Sequence, residues 1–229
     1  MPYSSKDIKD IGKARILFMG PSKSGKTVAI ALTAPQPIFF LNFDKGGLIG
    51  PSRLKAIFEA EDIFDIKTLD TTLTYVEKEM KGKEPFRTVV FDPLSTFGRM
   101  VEAELRRRGL DGWDLWREFD HVVNGMFTRV MGLNAHVIFT CHADQAADDG
   151  GGETGHLPVF PGKNKHLIPA QLNDILWLEV TPGKDKEPTK REFLINAQGR
   201  WKHGCRSLSF VGRIPADFTA FLKRAEIKP

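Results

Sequence analysis

Eight consecutive residues carry the most chemical information in the chain. Gly20-Pro21-Ser22-Lys23-Ser24-Gly25-Lys26-Thr27 matches GxxxxGK[ST] at every fixed position. Its glycines let the backbone curl until successive N–H groups face one anion, and a helix starting there adds the positive end of its dipole. In such a loop, Gly20 to Val28 cradle phosphates, Lys26 reaches the β- and γ-phosphates, and the Thr27 hydroxyl is offered to Mg²⁺. The metal also needs a carboxylate from another strand. Asp92 directly follows the apolar run Thr88–Phe91 (TVVF) and is expected to hold Mg²⁺ through a water. Hydrolysis further needs a group that orients or deprotonates water. Asp44, after the apolar run Ile38–Phe43, is the candidate; the alternative is a turn residue ahead of Gly46-Gly47. His142 follows His136–Thr140 (HVIFT). It is expected either to sense the γ-phosphate and relay its presence onward, or to be a structural histidine at a strand end.

These residues need a scaffold that brings four strand ends together. Ala14–Met19, Ile38–Phe43, Thr88–Phe91 and His136–Thr140 are short, continuous apolar runs, each followed by a polar or glycine-rich segment. Such runs read as strands buried on both faces. Helical spacing predicts Thr27–Thr33, Thr71–Met80 (with Thr74 and Glu77 as a capping box), Ser95–Arg107 and Asp114–Met131. The alternation implies an α/β fold with a mostly parallel central sheet flanked by helices, and ligands bind beyond the carboxyl ends of such strands. Residues 143–162 are rich in Gly and Asp and read as a mobile loop. Beyond them, Asp174–Val180, Glu192–Ile195 and Ser207–Val211 read as additional C-terminal strands, and Pro215–Ala225 as a closing helix with Pro at its first turn. The 229 residues are read as one domain, with residues 1–13 as an N-terminal extension.

Composition narrows the classes. Lys plus Arg number 33 against 29 Asp plus Glu, a net charge of +4 that permits a polyanionic partner without demanding one. The two cysteines, Cys141 and Cys205, form no CxxC pair, so a disulfide framework is not expected and a reducing cytoplasm fits. Met1–Lys13 is polar and no apolar run approaches the ~20 residues that span a bilayer, so no membrane partner is expected. Cys141 and His142 are adjacent on a strand and point to opposite faces. They are therefore not expected to share an ion with Asp144, His156 or His166.

The phosphate loop alone does not choose among GTPases, kinases, motor ATPases and recombinases. Asp44-Lys45-Gly46-Gly47 fits DxxG, but Asn164-Lys165 is followed by His166-Leu167 rather than completing NKxD, which disfavours GTP. The order of features is more specific: the phosphate loop, a strand ending LNFD, then VVFD, then FTCH, with the tail PGKNKHLIPAQLNDILWL. This order resembles the RecA-type ATPase core, and in particular phage-encoded RecA-like nucleotide-binding proteins, the small single-strand annealing ATPases. The likeness runs from about Lys13 to Phe210.

The resemblance implies an ATP- and Mg²⁺-dependent ATPase acting on single-stranded DNA in annealing or strand exchange, as a homo-oligomeric ring or filament. A single-stranded-DNA-binding protein is a further expected partner. Asp44 falls where such proteins carry a water-activating acid, usually Glu, one methylene longer. His142 falls at the γ-phosphate-sensing position, and residues 143–162 fall at a mobile DNA-binding loop. The resemblance also implies that the strand before His142 lies between the strands before Gly20 and Asp92.

Arg106, Arg107 and Arg108 precede Trp113 and Trp116, a basic cluster with flat apolar faces of the kind that grips phosphates and stacks bases. The alternative is a solvated helix end with both tryptophans in the core. Lys163 and Lys165 are expected either to reach a neighbouring subunit's ATP or to be exposed solubilising lysines. Two rival functions stand beside the DNA reading: a small-molecule kinase with Arg106–Arg108 as lid arginines, and a nucleotide-gated binding module for a replication or packaging partner.

Overall fold

Strand β1 (Arg15–Gly20) shows how the sequence builds the molecule. Its side chains alternate between two buried clusters. Leu17 and Met19 join one, Ile16 and Phe18 the other. A strand with both faces covered has no polar side, which is why the apolar runs are continuous. The same alternation recurs in β2 (Ile38–Asn42), β4 (Thr88–Asp92) and the first half of β5 (His136–Ala147). The computed structural model describes residues 12–147, 153–183, 188–195, 204–208 and 212–228.

The remaining strands are β3 (Glu59–Asp62), β6 (Glu153–Pro158), β7 (Asp174–Thr181), β8 (Lys190–Ile195), β9 (Gly204–Cys205) and β10 (Gly212–Pro215). The sheet runs β10-β8-β7-β1-β5-β4-β2-β3. Every pair from β7 across to β3 is parallel, whereas β8 pairs antiparallel with β7 and with β10. The fold is thus the expected α/β architecture, with β5 lying between β1 and β4.

Helices α3 (Ile66–Glu79), α4 (Leu94–Arg107) and α5 (Gly112–Met131) cover one face of the sheet. Helices α1 (Lys26–Thr33) and α7 (Phe218–Arg224) cover the other, where Phe18 meets Phe193 and Phe218 edge-on at 5.1 and 5.2 Å. Burying one such ring contributes about 1.5–3 kcal/mol. Short helices α2 (Ile49–Arg53) and α6 (Asn164–Gln171) complete the described elements.

Several boundaries differ from the sequence-based expectations. The α3 helix begins at Ile66, and Asp65 caps it by accepting from Thr68 N at 2.6 Å. Thr74 is therefore mid-helix, its hydroxyl donating to Asp70 O, and Glu77 instead receives the Arg129 guanidinium. The loop expected over 143–162 contains an antiparallel hairpin, because β5 continues to Ala147 and pairs with β6. Two polar strands that pair with each other need no apolar pattern. Residues 148–152, between them, lie outside the described residues. Ser207 and Leu208 are not in a strand, and 209–211 of that expected strand lie outside the described residues. Pro215 ends β10, and α7 starts three residues later with Asp217 as its cap. The extension 1–13 is described only at Gly12 and Lys13.

Candidate nucleotide site

The site lies where β1, β2 and β4 end, beside His142 partway along β5. Gly25 caps α1 with φ 98°, a left-handed conformation that favours glycine, and this turns the loop into the helix. A cleft of about 390 Å³ is lined by Ser22 to Val28, Asp44, Gly46, Gly47, Asp92, Pro93 and His142. Gly20 and Pro21, also expected in the cradle, do not line the cleft; their carbonyls accept from Lys26 Nζ at 2.9 and 2.8 Å.

Asp92 is buried at the end of β4. Thr27 Oγ1 donates to its Oδ2 at 2.6 Å, and Thr140 Oγ1 donates to its Oδ1. Burial raises the Asp92 pKa above the usual carboxylate value; the two hydroxyl bonds and the Lys26 charge oppose this, and Asp44 adds to it. Burial likewise lowers the Lys26 pKa, with the Asp92 charge opposing. Both members of the pair are therefore pushed toward neutrality, so desolvation exceeds their mutual attraction.

Asp44 sits in a tight turn. Its Oδ1 accepts from Gly46 N at 3.2 Å and its carbonyl from Gly47 N at 2.9 Å. A Cβ at Gly47 would come 3.3 Å from Asn42 Oδ1 and 3.7 Å from Asp92 Oδ2, so a glycine here lets the turn close over the carboxylate. His142 is half-buried, and its Nδ1 is buried with no hydrogen-bond partner among the described residues. Burial, followed by the charges of Lys26 and Arg99, lowers its pKa below the ordinary histidine value, which favours a neutral imidazole at pH 7.

The residues fit a nucleoside triphosphate with its magnesium. Lys26 presents a cation, Thr27 and Asp92 present two oxygen donors already in contact, and Ser24 Oγ is a second buried polar atom without a partner among the described residues. Cys141, next to His142, has its thiol pushed up to about 12 by burial and stays uncharged.

Three residues at the site escaped the sequence reading. Thr140 holds Asp92, but only the pairing of β4 with β5 reveals it. Asn42 donates to Asp62 at 2.6 Å and accepts from Asp44 N at 3.4 Å, bracing the Asp44 turn. Arg191, on β8, donates from Nε to Ser24 O at 3.0 Å. No spacing signal marks it, since 167 residues separate the two.

The expected DNA-contact residues lie elsewhere. Arg106–Arg108 end α4, 14 residues and thus roughly 20 Å of helix from the cleft. Arg106 pairs with Glu102, Arg108 with Glu104, and Arg117 with Asp114. The two tryptophans part company. Trp113 is 79% exposed, whereas Trp116 packs on Phe119 and on Gly162. Lys163 pairs with Asp120 at 2.9 Å, and Lys165 lies half-buried on α6.

Fold and cleft together define an α/β P-loop nucleotide-binding domain. Residues 12–204 match the AAA domain model AAA_24, so the chain belongs to that family of P-loop ATPase domains. It is also 25% identical over 187 residues to a protein of Bacillus subtilis (strain 168) described as "SPbeta prophage-derived uncharacterized protein YorG". That match covers 75% of this chain and 52% of the relative, so the chain spans about half the relative's length. Among the described residues, no helix is long and apolar enough to cross a membrane.

Proposed function

We propose that this chain is a magnesium-dependent ATPase, stimulated by single-stranded DNA, that acts in phage-type recombination by annealing or strand exchange. The observation that carries the nucleotide half is the Thr27–Asp92 contact of 2.6 Å at the head of α1, with Asp44 lining the same cleft. Lys26 and the loop N–H groups would neutralise phosphate charge, while Thr27 and Asp92 would hold the metal. When bound, Mg²⁺ would supply charge neutralisation on the phosphates. Asp44 orients the attacking water.

His142 senses the terminal phosphate and passes its state to the hairpin. Its carbonyl accepts from Val159 N at 2.9 Å, just past β6. The next residues, Phe160 and Pro161, press on Gly98 of α4, and Gly162 meets Trp116 of α5. A change at His142 thus has a packed route to the α4–α5 turn. That turn is flanked by Trp113 at the start of α5 and by the Arg106–Arg108 cluster at the end of α4, and a base stacked on a tryptophan gains about 1–3 kcal/mol. The protein works as a ring or filament in the cytoplasm, with Lys163 and Lys165 reaching a neighbour's nucleotide.

Steady-state ATP turnover with and without single-stranded DNA tests this reading, with Lys26→Ala as the blank. DNA stimulation that is absent in the blank and reduced in Trp113→Ala is the expected result. Turnover indifferent to DNA would overturn the DNA half. The ion pairs on Arg106, Arg108 and Arg117 favour a second reading, a nucleotide-gated module for a replication or packaging protein, because they neutralise the cluster locally. Tight ATP binding with background turnover would select it.

A further inference from the structure

The phosphate end of the cleft is accounted for by the loop, Lys26, Thr27, Asp92 and His142. Nothing yet holds the nucleoside. We infer that Arg191 does so, with its guanidinium plane lying against one face of the base; this deepens the ATP reading above and rests on it.

Arg191 is the second residue of β8, opposite Val180 on β7, the strand next to β1. Its side chain lies against the phosphate loop at Ser24 and Gly25. A Cβ at Gly25 would come 3.0 Å from Arg191 Nε, 3.6 Å from Cδ and 3.8 Å from Cζ. The Nε–Ser24 O bond of 3.0 Å anchors the guanidinium, yet the residue is exposed. Among the described residues no carboxylate pairs with it, and the adjacent Glu192 is engaged by Lys190. An anchored, exposed guanidinium beside a phosphate loop is arranged to meet a ligand.

Direction selects the nucleoside. Asp92 and His142 lie on β4 and β5 and Asp44 in the turn that follows β2, all on one side of β1 in the sheet order, and so fix the γ-phosphate to that side. Arg191 approaches from the opposite side, through β7 and β8. A triphosphate lying along the loop therefore sends its sugar and base toward Arg191. A planar, delocalised cation stacks on aromatic faces, which a lysine ammonium cannot match.

The test measures Mg²⁺-dependent binding of ATP and of inorganic tripolyphosphate by calorimetry, with the wild-type chain, Arg191→Ala, Arg191→Lys and Lys26→Ala. The expected result is about fivefold weaker ATP binding in both Arg191 variants, with tripolyphosphate binding unchanged. The lysine variant keeps the charge and a donor for the Ser24 carbonyl but loses the plane. If both ligands weaken together, Arg191 merely supports the loop and the inference is overturned. Full ATP affinity in Arg191→Lys, or no change in either variant, overturns it as well. Lys26→Ala separates the underlying reading: it should lose both ligands, and unaltered binding there would sink the nucleotide site itself.

Discussion

His136 makes the stability of this fold depend on pH in a way that can be worked from the structure. It opens β5 and is 1% exposed, and its Nδ1 accepts from Ala14 N at 3.1 Å. That bond requires Nδ1 to be unprotonated. Burial, then the charge of Lys13, with smaller contributions from Arg15 and Arg87, lowers its pKa to about 4, against a weaker opposing contribution from the Lys228 backbone. In the unfolded chain the ring titrates near 6.5. The folded pKa is depressed, so the unfolded state binds a proton first as pH falls. Stability is intact above about 6.5 and is lost between about 6.5 and 4. The loss amounts to roughly 3 kcal/mol, a large share of the ~5–15 kcal/mol typical of a domain. Urea unfolding at several pH values between 7.5 and 4.5, comparing wild type with His136→Asn, isolates this one group from the other titrating residues. The asparagine carbonyl takes the place of Nδ1 but does not titrate. The variant is less stable at pH 7.5, having lost ring volume, but its stability falls less steeply on acidification. Parallel pH profiles for the two proteins would refute the reasoning.

Three further perturbations probe the site and its connections. Asp92→Asn removes a buried charge that desolvation disfavours but keeps partners for Thr27 and Thr140; its melting temperature without nucleotide stays at or above wild type. Saturating Mg·ATP, worth about 2.7 kcal/mol at a hundredfold excess over Kd, stabilises only the wild type, and an equal shift in both proteins would contradict the metal assignment. Gly98→Ala places a Cβ 2.6 Å from Pro161 Cδ and 2.9 Å from Phe160 Cε2. It should cost about 1–3 kcal/mol in chemical denaturation, and an unchanged midpoint would show that the 160–161 segment yields freely. Gly25→Ala imposes a side chain at φ 98° under Arg191. It abolishes ATP binding in calorimetry while circular dichroism shows the fold retained.

Much of the site is written locally. The phosphate loop is legible because glycine spacing and the start of α1 are short-range properties, and Asp92, Asp44 and His142 each end an apolar run that had to be a strand. The edge strand β3 was not legible: its residues EAED are all exposed, so no hydrophobic pattern marks it. The α6 helix was hidden by Pro169 within it.

The sequence by itself determined the class of fold and the phosphate cradle, because apolar periodicity and backbone geometry at glycine act within a few residues. Only the tertiary structure decided which distant groups complete the site. The register of β5 against β4 delivers Thr140 to Asp92, and the β7–β8 pairing delivers Arg191 to Ser24. It also sorted two similar tryptophans, because Gly162 gives Trp116 a surface to pack on while Trp113 is left exposed. Such contacts depend on hydrogen-bond register and close packing between segments far apart in the chain, and neither leaves a periodic mark in the sequence.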